Sequence, residues 1–137
     1  MTMNEKKLMG IRIIVHRGTN QIGGCVTEYE CRGFHLFVDY GEQLPGYEHT
    51  EMEIEGLTKG DVYNSALLIT HYHGDHIGKV SELSSEIPVY MGKTGCEICQ
   101  EFELHMSHIP GEEGKRHRLM ADRVAEFKHF EPGHTFE

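Results

Sequence analysis

The stretch Thr70-His71-Tyr72-His73-Gly74-Asp75-His76-Ile77-Gly78 decides how this chain is read. It directly follows the apolar run Ala66-Leu67-Leu68-Ile69, which reads as a short buried strand. The polar side chains therefore sit on a loop with a rigid base. Three imidazoles and a carboxylate suit zinc or a similar divalent metal. His71 and His73 are two apart, so in an extended segment they point the same way. Asp75 and His76 come after a glycine that lets the chain turn. Two ligand pairs then face two neighbouring points, the geometry for two metal ions. The plain alternative is a solvated polar loop, and 11 histidines make chance clustering easier. Four donors in this order, after a strand and before a glycine, favour the metal reading.

Working outward, Ile11 to Val15 is β-branched and reads as a strand. Val26 to Glu30 and Phe34 to Asp39 read as a hairpin turned at Arg32-Gly33. Tyr40 to Asn64 reads as a long loop with little fixed structure, or a short exposed strand. Its charge run Glu51-x-Glu53-x-Glu55 reads as a solvated face. After Ser65 to Thr70, the spacing of Ile77, Val80 and Leu83 predicts a short helix starting near Asp75. Pro88 to Met91 is a further strand. Lys93 to Ser107 is an amphipathic helix with Cys96, Cys99, Phe102 and Met106 on one side, ended by Pro110-Gly111. His117 to Ala125 reads as helical, and Phe127 to Phe130 as a last strand. Strands come first and then alternate with helices, which fits an α+β sheet with helices on one face.

The motif His71-x-His73-x-Asp75-His76 resembles the signature of the metallo-β-lactamase superfamily of metallohydrolases. Upstream, Gly18-Thr19-Asn20-Gln21-Ile22-Gly23-Gly24-Cys25 precedes a hairpin ending at Phe37-Val38-Asp39-Tyr40-Gly41. That glycine-rich entry and Asp-x-Gly look like the amino-terminal part of ribonuclease J-like and β-CASP relatives. The resemblance implies an αββα sandwich of which residues 1–137 form the amino-terminal half. One mixed sheet with helices on one face would then be a single partial domain, preceded by a disordered tail over residues 1–10. It implies zinc as cofactor, two ions in the complete enzyme, with manganese or iron as substitutes. His71 and His73 would bind the first ion, and Asp75 and His76 the second. Asp75 would also orient the nucleophile, the catalytic role. Asp39 would support the metal loop without binding metal, the alternative being a turn made with Gly41. Secreted β-lactamases of this fold carry arginine where His76 stands, so antibiotic hydrolysis is not implied.

The resemblance implies a hydrolase of phosphodiesters, RNA among them. A thioester hydrolase of the glyoxalase II type shares Thr-His-x-His-x-Asp-His and is the alternative enzyme. A non-catalytic metal-binding half-domain is the other. The family's later ligands, a third histidine, a bridging aspartate and a final histidine, are not found before Glu137. The expectation is therefore a fragment with little activity alone. Its sheet, uncovered on one side, would pair with another copy through strand residues such as Ile14, Phe37, Leu67 and Ile69.

Composition narrows the partners. The formal charge of -9 argues against a strong nucleic-acid footprint on this portion. Neither a secretory signal nor a run of membrane-spanning length is visible, so a cytoplasmic place is expected. The four cysteines are then free thiols. Cys96-Glu97-Ile98-Cys99 reads as packed thiols one helical turn apart, with a redox or zinc role as the sharper alternative.

Overall fold

The computed structural model describes residues 10–135. The tail expected over residues 1–10 therefore falls, except for Gly10, outside the described residues. Strands β1 (Arg12–Arg17) and β2 (Val26–Cys31) pair antiparallel, as do β2 and β3 (Phe34–Val38). Arg32 and Gly33 turn the hairpin with φ of 53° and 81°, the two positive angles that match the twist of the flanking strands. Strands β4 (Ser65–Ile69), β5 (Val89–Gly92) and β6 (Lys128–Phe130) add in parallel. The result is one mixed six-stranded sheet in the order β1-β2-β3-β4-β5-β6.

Helix α1 (Gly74–Ile77) is a single turn, followed by a 3-10 turn at Val80–Glu82. Helices α2 (Lys93–Met106) and α3 (Glu112–Val124) pack on one another, and α2 also lies against β5 and β6. The sheet's covered face contributes Phe37, Leu67, Ile69, Val89 and Met91 to the core. Ile77, Val80, Ile87, Cys96, Cys99, Met120 and Val124 close over them. The α+β class and the mixed sheet are as expected, and the arrangement is consistent with half of a metallo-β-lactamase sandwich.

The uncovered face is apolar but carries other residues than those expected. Phe37, Leu67 and Ile69 are fully buried in the core. The cross-strand row Ile13, Tyr29, Leu36 and Ala66 lies on the opposite side, with Val15, Thr27, Val38 and Leu68 beside it. Ile13 is 60% exposed and Leu36 39%. On β1 to β3 the covered face carries Glu28, His16 and His35 while the other carries Ile13, Tyr29 and Leu36, so alternation does not say which face the helices take. A hollow of about 520 Å³ opens on the uncovered side, lined by Ile11, Tyr29, Phe34 and Leu36 among others.

Three further details depart from expectation. Within the long loop, Ile54 and Leu57 are buried to 3% and 1% exposure and plug the core, while Glu51, Glu53 and Glu55 are solvated as expected. Phe102 is exposed rather than on the packed side of α2 and meets His117 edge-on. Helix α3 begins five residues before its expected start, because buried Gly114 lets its first turn lie directly on the carbonyl of Ile109.

A buried carboxylate joins the first three strands. Glu28 on β2 receives His16 Nε2 from β1 at 2.8 Å and His35 Nδ1 from β3 at 2.7 Å, one imidazole on each oxygen. Both rings flank buried Phe37. Burial pushes the Glu28 carboxyl up. The hydrogen bonds and charge of His35 and His16 outweigh that and hold it below the usual range.

Candidate metal centre

The candidate loop leaves the end of β4 and is held from below by Asp39, at the end of β3. Asp39 adopts a left-handed φ of 63°, which an aspartate tolerates better than most residues. Its amide donates to the carbonyl of Leu68 at 2.9 Å. Its carboxylate, only 4% exposed as a residue, accepts the Thr70 amide at 2.8 Å and the Thr70 hydroxyl at 2.8 Å. It also accepts His76 Nδ1 at 2.7 Å.

These bonds set the tautomers. The Thr70 hydroxyl has one proton, and the carboxylate is its stronger acceptor. The hydroxyl oxygen is then left to accept Nδ1–H of His71 at 2.9 Å. Both His71 and His76 thus spend Nδ1–H on the Asp39 network and carry their lone pairs on Nε2. A neutral imidazole with a free nitrogen is what a metal ligand must be. Burial lowers the pKa of His71, and the neighbouring His76 and His73 lower it further.

The structure brings the four expected donors together. The rings of His71 and His73 lie 4.7 Å apart, and those of His71 and His76 4.1 Å apart, centroid to centroid. His76 Nε2 stands 3.5 Å from Asp75 Oδ2. Two ligands on one tetrahedral zinc would stand about 3.3 Å apart, so this pair fits a single ion. Among the described residues no group of three or more His, Cys, Asp or Glu side chains is placed to hold a metal ion together. The donors form an open cluster whose chemistry fits a divalent transition metal with coordination positions to spare.

Two glycine segments grip the loop from the side. Gly24 N–H donates to the carbonyl of Asp75 at 2.8 Å, and Tyr40 N–H to that of His76 at 2.9 Å. A Cβ on Gly41 would meet the Asp75 main chain at 2.0 Å, and one on Gly23 would meet the Asp75 carboxylate at 2.5 Å. Only glycine allows this approach. The glycine-rich entry and the Asp-x-Gly are therefore the walls of the loop. Thr70 went unassigned a role in the sequence although it stands at the head of the motif.

The other candidates fall away. Cys96 and Cys99 are buried, and Cys96 Sγ lies 3.6 Å from the carbonyl of Val124. Burial raises both thiol pKa values, that of Cys99 to about 12. These are packed thiols without thiolate character. His117 lies outside the cluster, bonded to Glu103 between α2 and α3 at 2.6 Å.

The chain is 28% identical over 145 aligned residues to ribonuclease J of Mycobacterium tuberculosis, covering 92% of this chain and 24% of the relative. Ribonuclease J of Mycolicibacterium smegmatis is 29% identical over 107 residues, 67% of this chain and 18% of that protein. A UPF0173 metal-dependent hydrolase of Bacillus pumilus is 31% identical over 83 residues, 53% of this chain and 34% of that protein. These likenesses point to a metallo-β-lactamase-like family. The chain spans about a quarter of the length of the ribonuclease J relative from M. tuberculosis. No family profile matches it. Among solved structures, a protein of unknown function from Enterococcus faecalis V583 superposes with a TM-score of 0.62 at 20% identity. That match covers 78% of this chain and 31% of the other, and it speaks to the fold alone. No helix among the described residues is long and apolar enough to cross a membrane.

Proposed function

We propose that this chain carries part of the site of a metal-dependent hydrolase of the metallo-β-lactamase superfamily, directed at phosphodiesters such as RNA. The observation that carries this reading is the Asp39 carboxylate. It takes Nδ1–H of His76 directly and that of His71 through Thr70, leaving two Nε2 lone pairs at the surface. His71 and His73 would hold one ion, and Asp75 with His76 a second, zinc by ligand type with manganese or iron as substitutes. When bound, the ions would supply a water of lowered pKa as nucleophile at neutral pH. Asp75 would accept that water's proton or orient it, and Asp39 would keep the imidazoles aimed. The similarity to ribonuclease J supports RNA as substrate. The acidic charge of -9 means that this portion would not supply the basic groove.

The open cluster supports a second reading, a metal-binding half-domain without turnover of its own. Water or donors from another chain would then complete the shells. Association through the uncovered apolar face is part of the same proposal. Elemental analysis after zinc loading and dialysis, beside assays with bis(p-nitrophenyl) phosphate and S-lactoylglutathione, separates these readings. Bound zinc that is lost in His71→Ala and His73→Ala is expected, with slow phosphodiester cleavage and no thioester cleavage. Zinc retained at wild-type level by both variants would overturn the assignment. Thioester cleavage abolished by His73→Ala would move the reading to the glyoxalase II type.

A further inference from the structure

We propose that Arg17 is a positioning residue for the Asp75–His76 half of the site. The inference rests on the reading of that loop as a metal loop. Regular alternation would put Arg17 on the face of Val15, the exposed one. Instead the register shifts between them: Val15 pairs with Thr27, while Arg17 pairs with Val26, the very next residue. His16 is the extra residue of a β-bulge, and such bulges re-aim side chains. Arg17 is thereby turned to the side of fully buried Val26 and is itself 8% exposed.

Turned inward, the guanidinium forms no ion pair with a carboxylate among the described residues. Its Nε donates to the carbonyl of Gly24 at 2.6 Å, Nη2 to that of Gly41 at 2.9 Å and Nη1 to that of Thr50 at 3.1 Å. A buried cation is costly unless its donors are satisfied. Here its planar fork ties three separate segments at one point, which a lysine cannot do. Two of those segments are the walls of the metal loop. Gly24 continues through its own amide to the Asp75 carbonyl. Gly41 lies against the Asp75 main chain with no room for a methyl group. Arg17 therefore fixes the separation of the two walls between which Asp75 sits. His71 is supported independently, through Thr70 and Asp39, which follow the ends of β4 and β3.

The test compares wild type with Arg17→Met and Arg17→Lys, free of metal, by amide hydrogen exchange. The amides of Gly24 and Tyr40, which bond to the loop, should exchange about tenfold faster or more in both variants. The Leu67 amide, bonded to Pro88 in the sheet, should keep its rate. In parallel, cobalt titration should show weaker uptake by both variants than by wild type. Equal acceleration of all these amides, no acceleration at all, rescue by lysine, or failure of both variants to fold would each overturn the inference. Absence of cobalt binding by wild type would overturn the metal reading alone, and the exchange rates would still decide the role of Arg17.

Discussion

Asp39 shows how much a single carboxylate can organise. Three donors from Thr70 and His76 converge on it, and a fourth group, His71, is reached through the Thr70 hydroxyl. Asn tolerates the left-handed conformation as Asp does, so Asp39→Asn should leave the backbone in place. It removes the charge and one acceptor oxygen. Metal affinity, measured by competition with a chelator, should fall about 10- to 100-fold, while urea unfolding shifts little. Unchanged affinity would mean that the imidazoles are oriented by something else. At this scale the donors themselves were legible because a local pattern encodes them. Of their supports, Asp39 was expected from the resemblance but its partner Thr70 was not: they are 31 residues apart, and only the folded sheet sets them side by side. Arg17 was hidden for a different reason, since a bulge breaks the alternation from which an inward residue is inferred.

Among the elements, the hairpin, the ligand-bearing strand and helix α2 were legible because each is specified locally, by a two-residue turn, an apolar run or a helical period. Ile54 and Leu57 were not, because two isolated apolar residues in a polar loop carry no period. The start of α3 was masked by Gly114, a poor helix former kept for close packing. The Glu28 bridge across β1, β2 and β3 yields a pH prediction. A carboxyl whose folded pKa lies below its unfolded value stabilises the fold above the unfolded pKa, about 4.3. That stability is lost as pH falls through the folded value. Glu28→Gln should flatten the dependence of unfolding free energy on pH below about 5. It should cost about 1–3 kcal/mol at neutral pH by leaving one imidazole donor facing an amide. Urea titrations across that range test this, and parallel curves for the two proteins would refute it.

For the whole molecule, the uncovered sheet face is the outstanding surface. Its apolar rows run across β1 to β4, and no helix among the described residues packs on them to an extent comparable with that on β5 and β6. A face without helices was the expectation drawn from the half-sandwich resemblance. Its composition was not legible, because the covered side of β1 to β3 carries polar residues, Glu28 with His16 and His35, which alternation would assign to solvent. A face of this kind favours association, most often two-fold. Multi-angle light scattering should report dimers or larger species that dissociate in a double variant, Ile13→Asp with Leu36→Asp. A stable monomer of the wild type at high concentration would contradict it.

The strand order has a consequence for how the chain is made. Spatial order repeats chain order without exception, β1 to β6, so each new strand finds its neighbour already present as it leaves the ribosome. Arg17, Gly24, Asp39 and Gly41 all precede Thr70 in the chain, so the cradle is synthesised before the loop that it holds. Vectorial folding of this kind spares the early strands a wait for distant partners, the step that slows topologies built from non-local pairings. Ribosome-stalled chains of increasing length should acquire protease resistance stepwise, the β1–β3 unit ahead of the loop. Protection that arises only after β6 has emerged would show that the sheet instead closes in a single late event.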